Sequence, residues 1–131
     1  MSKIALTLIL ISALSLAACG RSNDSAAALK ALDPDNDGTI SLAEAQAGAS
    51  KVFANLNKDK DGTLDAKELG DRIDAAGIKS ADPDNDGTLD AKEYAKIVES
   101  KFKAADPDGD GTVDKKELDS PAGQELLKLI Y

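Results

Sequence analysis

The pattern D/N-x-D-x-D-G-T-Φ-x-x-x-E, with Φ apolar, occurs four times in 131 residues, at Asp33–Glu44, Asn57–Glu68, Asp82–Glu93 and Asp106–Glu117. Carboxylates at alternate positions of so short a loop repel one another unless positive charge lies between them. The glycine at the sixth position (Gly38, Gly62, Gly87, Gly111) permits the positive φ of a sharp reversal. One such stretch could be an acidic solvated linker, but four in register argue for a repeated loop built around hard cations.

The spacing is that of the EF-hand loop, in which side-chain oxygens come from positions 1, 3 and 5, a backbone carbonyl from 7, an oxygen or water from 9 and a bidentate Glu from 12. The candidate ligands are Asp33, Asp35, Asp37, Thr39, Ser41 and Glu44 in loop one, and Asn57, Asp59, Asp61, Thr63, Asp65 and Glu68 in loop two. Loop three supplies Asp82, Asp84, Asp86, Thr88, Asp90 and Glu93, and loop four Asp106, Asp108, Asp110, Thr112, Asp114 and Glu117. Each threonine lends its carbonyl. Position 8 (Ile40, Leu64, Leu89, Val113) is expected to point away from the ion into a core.

Residues 1–18 read as a signal peptide: Lys3, then a fifteen-residue apolar run Ile4–Ala18, too short for a comfortable membrane span. The expected location is therefore the periplasm. Leu16-Ala17-Ala18-Cys19 has the form of a lipobox, so a lipid on Cys19, with residues 19–25 as a tether, is one expectation; ordinary signal-peptidase cleavage nearby is the other. Cys19 is the only cysteine and has no disulfide partner. All 24 acidic residues and 15 of the 16 basic ones lie from Cys19 onward, a net charge of about −9, which disfavours nucleic acid as a partner. With no His, no Cys beyond residue 19 and the carboxylates committed at ligand spacing, an enzyme is not expected.

The expected fold is all-α and a single domain, residues 26–131. Only 12 or 13 residues separate one loop's Glu from the next loop's first ligand. That is room for one helix of about 18–20 Å, so each connector is expected to be a single helix shared by two hands. Leu42, Val52, Phe53 and Leu56 mark the first, Leu69, Ile73 and Ile78 the second, with a bend near Gly77, and Tyr94, Ile97, Val98 and Phe102 the third. A short helix is expected over 26–32 and a last one over 121–130 after the Ser120-Pro121 start signal. Such connectors predict a small antiparallel bundle with ions at its periphery and sequence-adjacent loops far apart. The core is thin, with two Phe, two Tyr and no Trp, so ion binding is expected to supply much of the folding free energy.

The tight spacing, Pro at position 2 in three loops (Pro34, Pro83, Pro107), Asp at position 9 in three (Asp65, Asp90, Asp114) and the ending Ser120-Pro121-Ala122-Gly123 resemble the lanmodulin family of methylotrophic bacteria, over nearly the whole exported chain. The resemblance implies selective binding of lanthanide ions, La3+ to the middle of the series, with metal-driven compaction and a role in lanthanide uptake or handling. The alternative is a calcium-binding EF-hand lipoprotein acting as a Ca2+ buffer or sensor. A third reading is a metal-folded adaptor presenting Tyr94, Phe102 or Tyr131 to an unidentified protein partner. The lipobox departs from the family, as do Asn57 and Lys58 in loop two and Ser41 in loop one. Loop two is therefore expected to be the weakest site and loop one the next.

Overall fold

A computed structural model describes residues 21–131; the signal-peptide and Cys19 expectations lie outside these residues. The elements are α1 (Arg21–Leu32), β1 (Thr39–Ser41), α2 (Leu42–Leu56), β2 (Thr63–Leu64), α3 (Ala66–Leu69), α4 (Ala75–Ala81), β3 (Leu89–Asp90), α5 (Ala91–Ala105), β4 (Thr112–Asp114), α6 (Lys115–Leu118) and α7 (Pro121–Ile130). Apart from four short strands inside the loops the fold is all-α, and α2, α5 and α7 pack on one another at its centre. Among the described residues no helix is long and apolar enough to cross a membrane.

Helix starts follow from the loops themselves. Position 9 is the N-cap and position 12 the third helical residue, so Ser41/Glu44, Asp65/Glu68, Asp90/Glu93 and Asp114/Glu117 each form a reciprocal capping box. Ser120 caps α7, with Pro121 in its first turn, and the helix spans the range expected. α1 starts earlier than expected. Residues 21–25, read as tether, belong to this helix, and Ser25 is buried where Gln124 Nε2 donates to its Oγ at 2.9 Å and to the Leu118 carbonyl at 2.9 Å.

The first and third connectors are the single helices α2 and α5, so loops one and two sit at opposite ends of α2 and loops three and four at opposite ends of α5. The second connector differs. Gly70, at φ +54, ends α3 in a backbone conformation unfavourable for other residues; a 3₁₀ turn over Gly70–Arg72 follows, and Asp74 caps α4 by accepting from Gly77 N at 2.7 Å. The break lies at Gly70–Ile73, while Gly77 is inside α4. A folded connector brings its two ends together. Loops two and three, expected far apart, are joined by an antiparallel ribbon (Thr63↔Asp90, Leu64↔Leu89), and loops one and four by another (Thr39↔Asp114, Ile40↔Val113, Ser41↔Thr112).

The four position-8 residues have no exposed surface and join one core with Leu69, Val98, Phe102, Leu118, Leu126 and Ile130. Tyr94 is buried too, its hydroxyl donating to the Leu129 carbonyl at 2.8 Å and its ring meeting Phe53 edge-on at 5.7 Å and 67°. Burial pushes its phenol up to about 12, against a smaller opposing effect of Arg72. With Tyr94 and Phe102 inside, Tyr131 is the only large apolar side chain exposed among the described residues, and of the three aromatics named for an adaptor it alone lies at the surface.

Small residues let the helices approach. A Cβ on Gly48 in α2 would lie 2.6 Å from both the Ile130 carbonyl oxygen and Leu32 Cδ2. Gly48→Ala is therefore expected to destabilise the protein by about 1–3 kcal/mol through overpacking, read as a lower urea midpoint with an unchanged m value.

Candidate metal centres

Loops one, three and four each wrap their own first residue. In loop one the N–H groups of Asp37 and Gly38 donate to Asp33 Oδ1 and Oδ2 at 3.2 and 2.9 Å, and in loop three Asp86 and Gly87 do the same to Asp82 at the same distances. In loop four Asp106 Oδ1 accepts from Gly109 and Asp110 at 2.8 and 3.2 Å, and Oδ2 from Gly111 at 3.0 Å. Position 6 glycines adopt φ between +83 and +91 in all four loops, and position 4 is also left-handed, at Asn36, Lys60, Asn85 and Gly109.

In three loops the carboxylates of positions 1, 3 and 12 converge. One oxygen from each of Asp33, Asp35 and Glu44 lies within 4.8 Å of the other two, and the same holds for Asp82, Asp84, Glu93 and for Asp106, Asp108, Glu117. Asp33, Asp82 and Glu93 are buried. Like charges held this close fit a multivalent cation and are costly with nothing to balance them.

The other candidate ligands have local roles. Position 5 accepts from the threonine two residues on: Asp37 Oδ1 from Thr39 N and Oγ1 at 2.8 and 2.7 Å, and likewise Asp61 from Thr63, Asp86 from Thr88 and Asp110 from Thr112. One oxygen of each position-5 carboxylate is thereby oriented by the backbone. Position 9 stands outside the converging sets. Asp90 Oδ1 accepts from Glu93 N at 2.8 Å, as Asp114 does from Glu117 and Asp65 from Glu68, while Ser41 Oγ accepts from Glu44 N at 3.3 Å. Its capping role was readable in the D/S-x-x-E pattern, which the ligand assignment had overshadowed.

Loop two is built differently. Asn57 accepts none of the backbone bonds that its counterparts do, and its Oδ1 is the one buried side-chain polar atom among the described residues without a hydrogen-bond partner. Glu68 turns across the loop, with Oε1 accepting from Lys58 N at 3.0 Å and Oε2 from Asp65 N at 3.4 Å. A buried acceptor without a donor costs about 1–3 kcal/mol, and an ion among Asn57, Asp59, Asp61 and Glu68 would supply its partner. The donor sets of all four loops therefore suit an oxygen-seeking cation.

Electrostatics separate the paired carboxylates. Desolvation raises Asp33, but the Gly38 N–H, the Asp35 side chain and the Asp37 N–H together outweigh it and hold its carboxyl below the ordinary aspartate range. Asp82 is lowered chiefly by the Gly87 N–H. Their partners move the other way, Asp35 raised by its hydrogen bond with Asp33 and Asp84 by that with Asp82. The Thr63 N–H lowers Asp61, and the Thr112 hydroxyl lowers Asp110.

A sequence model of the EF hand matches residues 100–120, and a model described as an EF-hand domain pair matches residues 3–44. No curated protein matches the chain. The matches and the geometry agree on an EF-hand metal-binding protein whose acidic clusters can hold metal.

The raised pKa values carry a sign. Asp35 and Asp84 keep their protons to higher pH than an ordinary aspartate, and a carboxylate must be deprotonated to ligate. Affinity at loops one and three is thus expected to fall with pH beginning above the ordinary aspartate range. In weakly buffered solution just above the ordinary aspartate range, metal addition should release protons, and Asp35→Asn with Asp84→Asn should reduce that release.

Proposed function

We propose that the protein binds trivalent lanthanide ions outside the cytoplasm and that ion binding is coupled to closure of the fold, in lanthanide uptake, transport or buffering. The observation that carries the metal reading is the convergence of three carboxylates in each of loops one, three and four. Charge favours the trivalent class. Calcium and the early lanthanides both take oxygen ligands at similar radii, but a +3 ion is drawn to the same carboxylates half again as strongly as a +2 ion at equal distance. Four trivalent ions would bring the exported chain from about −9 to about +3.

The short inter-loop spacing and position-2 prolines support the reading through their likeness to lanmodulins. Proline fixes φ and keeps the preceding aspartate out of the helical region, which lowers the ordering cost of the loop. The chain would reach the periplasm by its signal peptide, with a lipid on Cys19 as a membrane tether where the lipobox is used.

Titrating the protein with La3+ and with Ca2+ while following helicity by circular dichroism tests this. The expected outcome is a cooperative gain of helix at far lower free La3+ than Ca2+. The same gain at sub-micromolar Ca2+ without preference for La3+ would instead establish the calcium buffer or sensor.

A further inference from the structure

We propose that the groove between α4 and α5 binds a short dicarboxylic acid, with its two carboxylates taken by Lys96 and Lys101. The site uses none of the loops' metal ligands, and the inference holds whichever ion fills them.

The groove encloses about 370 Å³, within the range of small-ligand sites. Small side chains make the space. On α4 the wall is formed by Gly77, Ser80 and Ala81, spaced i, i+3, i+4, with Pro83 lining the groove just past the helix end. α5 faces them with Lys96, Ile97, Ser100 and Lys101, which share one face of that helix. Among the described residues that line the groove none is acidic, although the exported chain carries a net charge of about −9.

The two ammonium groups differ from other lysines of the bundle. Lys103, Lys115 and Lys128 each stand 2.7 to 2.8 Å from a carboxylate, on Glu99, Asp119 and Glu125. Lys96 makes no ion pair with a described residue, and Lys101 reaches only to 3.9 Å from Glu125, whose other oxygen already holds Lys128. Their positive charge therefore stands over the groove largely uncompensated. The Ser100 hydroxyl bonds to no other described residue and can donate, whereas that of Ser80 donates to the Ala76 carbonyl at 2.9 Å and is left as an acceptor.

Spacing selects the ligand. Five residues of helix separate Lys96 from Lys101 by about 7.5 Å along the axis, which suits two carboxylates held apart better than one shared anion. Between them lie Ile97 on one wall and Ala81 and Pro83 on the other, an apolar surface for a short methylene chain. An inorganic anion would leave that surface uncovered.

The test uses labelled protein loaded with the ion that gives the helix gain, titrated separately with glutarate, butyrate and inorganic sulfate while the backbone amides are followed by NMR. Saturable shifts at Gly77, Ile97 and Ser100 are expected, with glutarate at least about tenfold tighter than butyrate or sulfate, the worth of one further charge-assisted bond. Lys96→Met with Lys101→Met is expected to weaken glutarate at least about tenfold. Lys79→Met with Lys103→Met removes the same charge from outside the groove and is expected to leave its affinity unchanged. The proposal is overturned when glutarate leaves the three amides unmoved, when butyrate or sulfate matches it, or when both double variants weaken it alike. Shifts confined to Gly38, Gly87 and Gly111, which report ions drawn out of the loops by the acid, overturn it as well.

Discussion

Ile40, Leu64, Leu89 and Val113 have no exposed surface, and each lies one residue beyond the threonine that offers its carbonyl and four before the closing glutamate. Burying an aliphatic side chain of this size contributes about 1.5–3 kcal/mol, and here it also anchors a ring of carboxylates that would otherwise drive the loop open. Ion and core act on the same short stretch of backbone. Removing charge repulsion from a loop therefore lets its position-8 residue stay packed, which is how ion binding can become folding free energy in a chain with so few aromatic side chains.

The links between loops form a closed circuit. Loop one leads through α2 to loop two, loop two is bridged by β2–β3 to loop three, loop three leads through α5 to loop four, and β1–β4 returns to loop one. Helices and ribbons alternate around it. Each continuous helix carries one loop's closing glutamate in its first turn and ends at the first residue of the next, and the ribbons join the loops sideways through Ile40–Val113 and Leu64–Leu89. α7 braces the circuit across its middle, with Tyr94 bonded to the Leu129 carbonyl and Arg72 bonded to that of Lys128.

Most of the elements were legible in the sequence because loop chemistry dictates them. The twelve-residue pattern dictates the glycine turns and the buried eighth position, and Ser120-Pro121 the start of α7; the helix starts at position 9 were present in the same pattern but hidden behind its ligand reading. The second connector was misread for a physical reason. Thirteen residues are as compatible with two short helices and a turn as with one rod, and the deciding signals, Gly70 as a stop and Asp74 as a new cap, are local and weak beside the apolar spacing of Leu69, Ile73 and Ile78. That misreading propagated into the expectation that loops two and three lie apart. α1 likewise begins before residue 26, and a tertiary contact near its start, the bond from Gln124 to Ser25, joins residues 99 positions apart that no local pattern connects.

The glutamate at position 12 is asked to do two things. In the capping box its Oε2 accepts from the N-cap N–H, as Glu44 does from Ser41, Glu93 from Asp90 and Glu117 from Asp114, at 2.8 to 2.9 Å. As a bidentate ligand it must turn both oxygens to the ion. The two demands are close in space, because the cap already holds one of its oxygens within 4.8 Å of the carboxylates at positions 1 and 3 in loops one, three and four. Ligation in those loops thus exchanges a hydrogen bond for a stronger electrostatic contact over a small movement, with the helix start already formed. In loop two the same residue is bonded to Lys58 N, on the far side of the turn, and has more to give up before it can close. The loop with the lowest charge is therefore also the one with the most rearrangement to make.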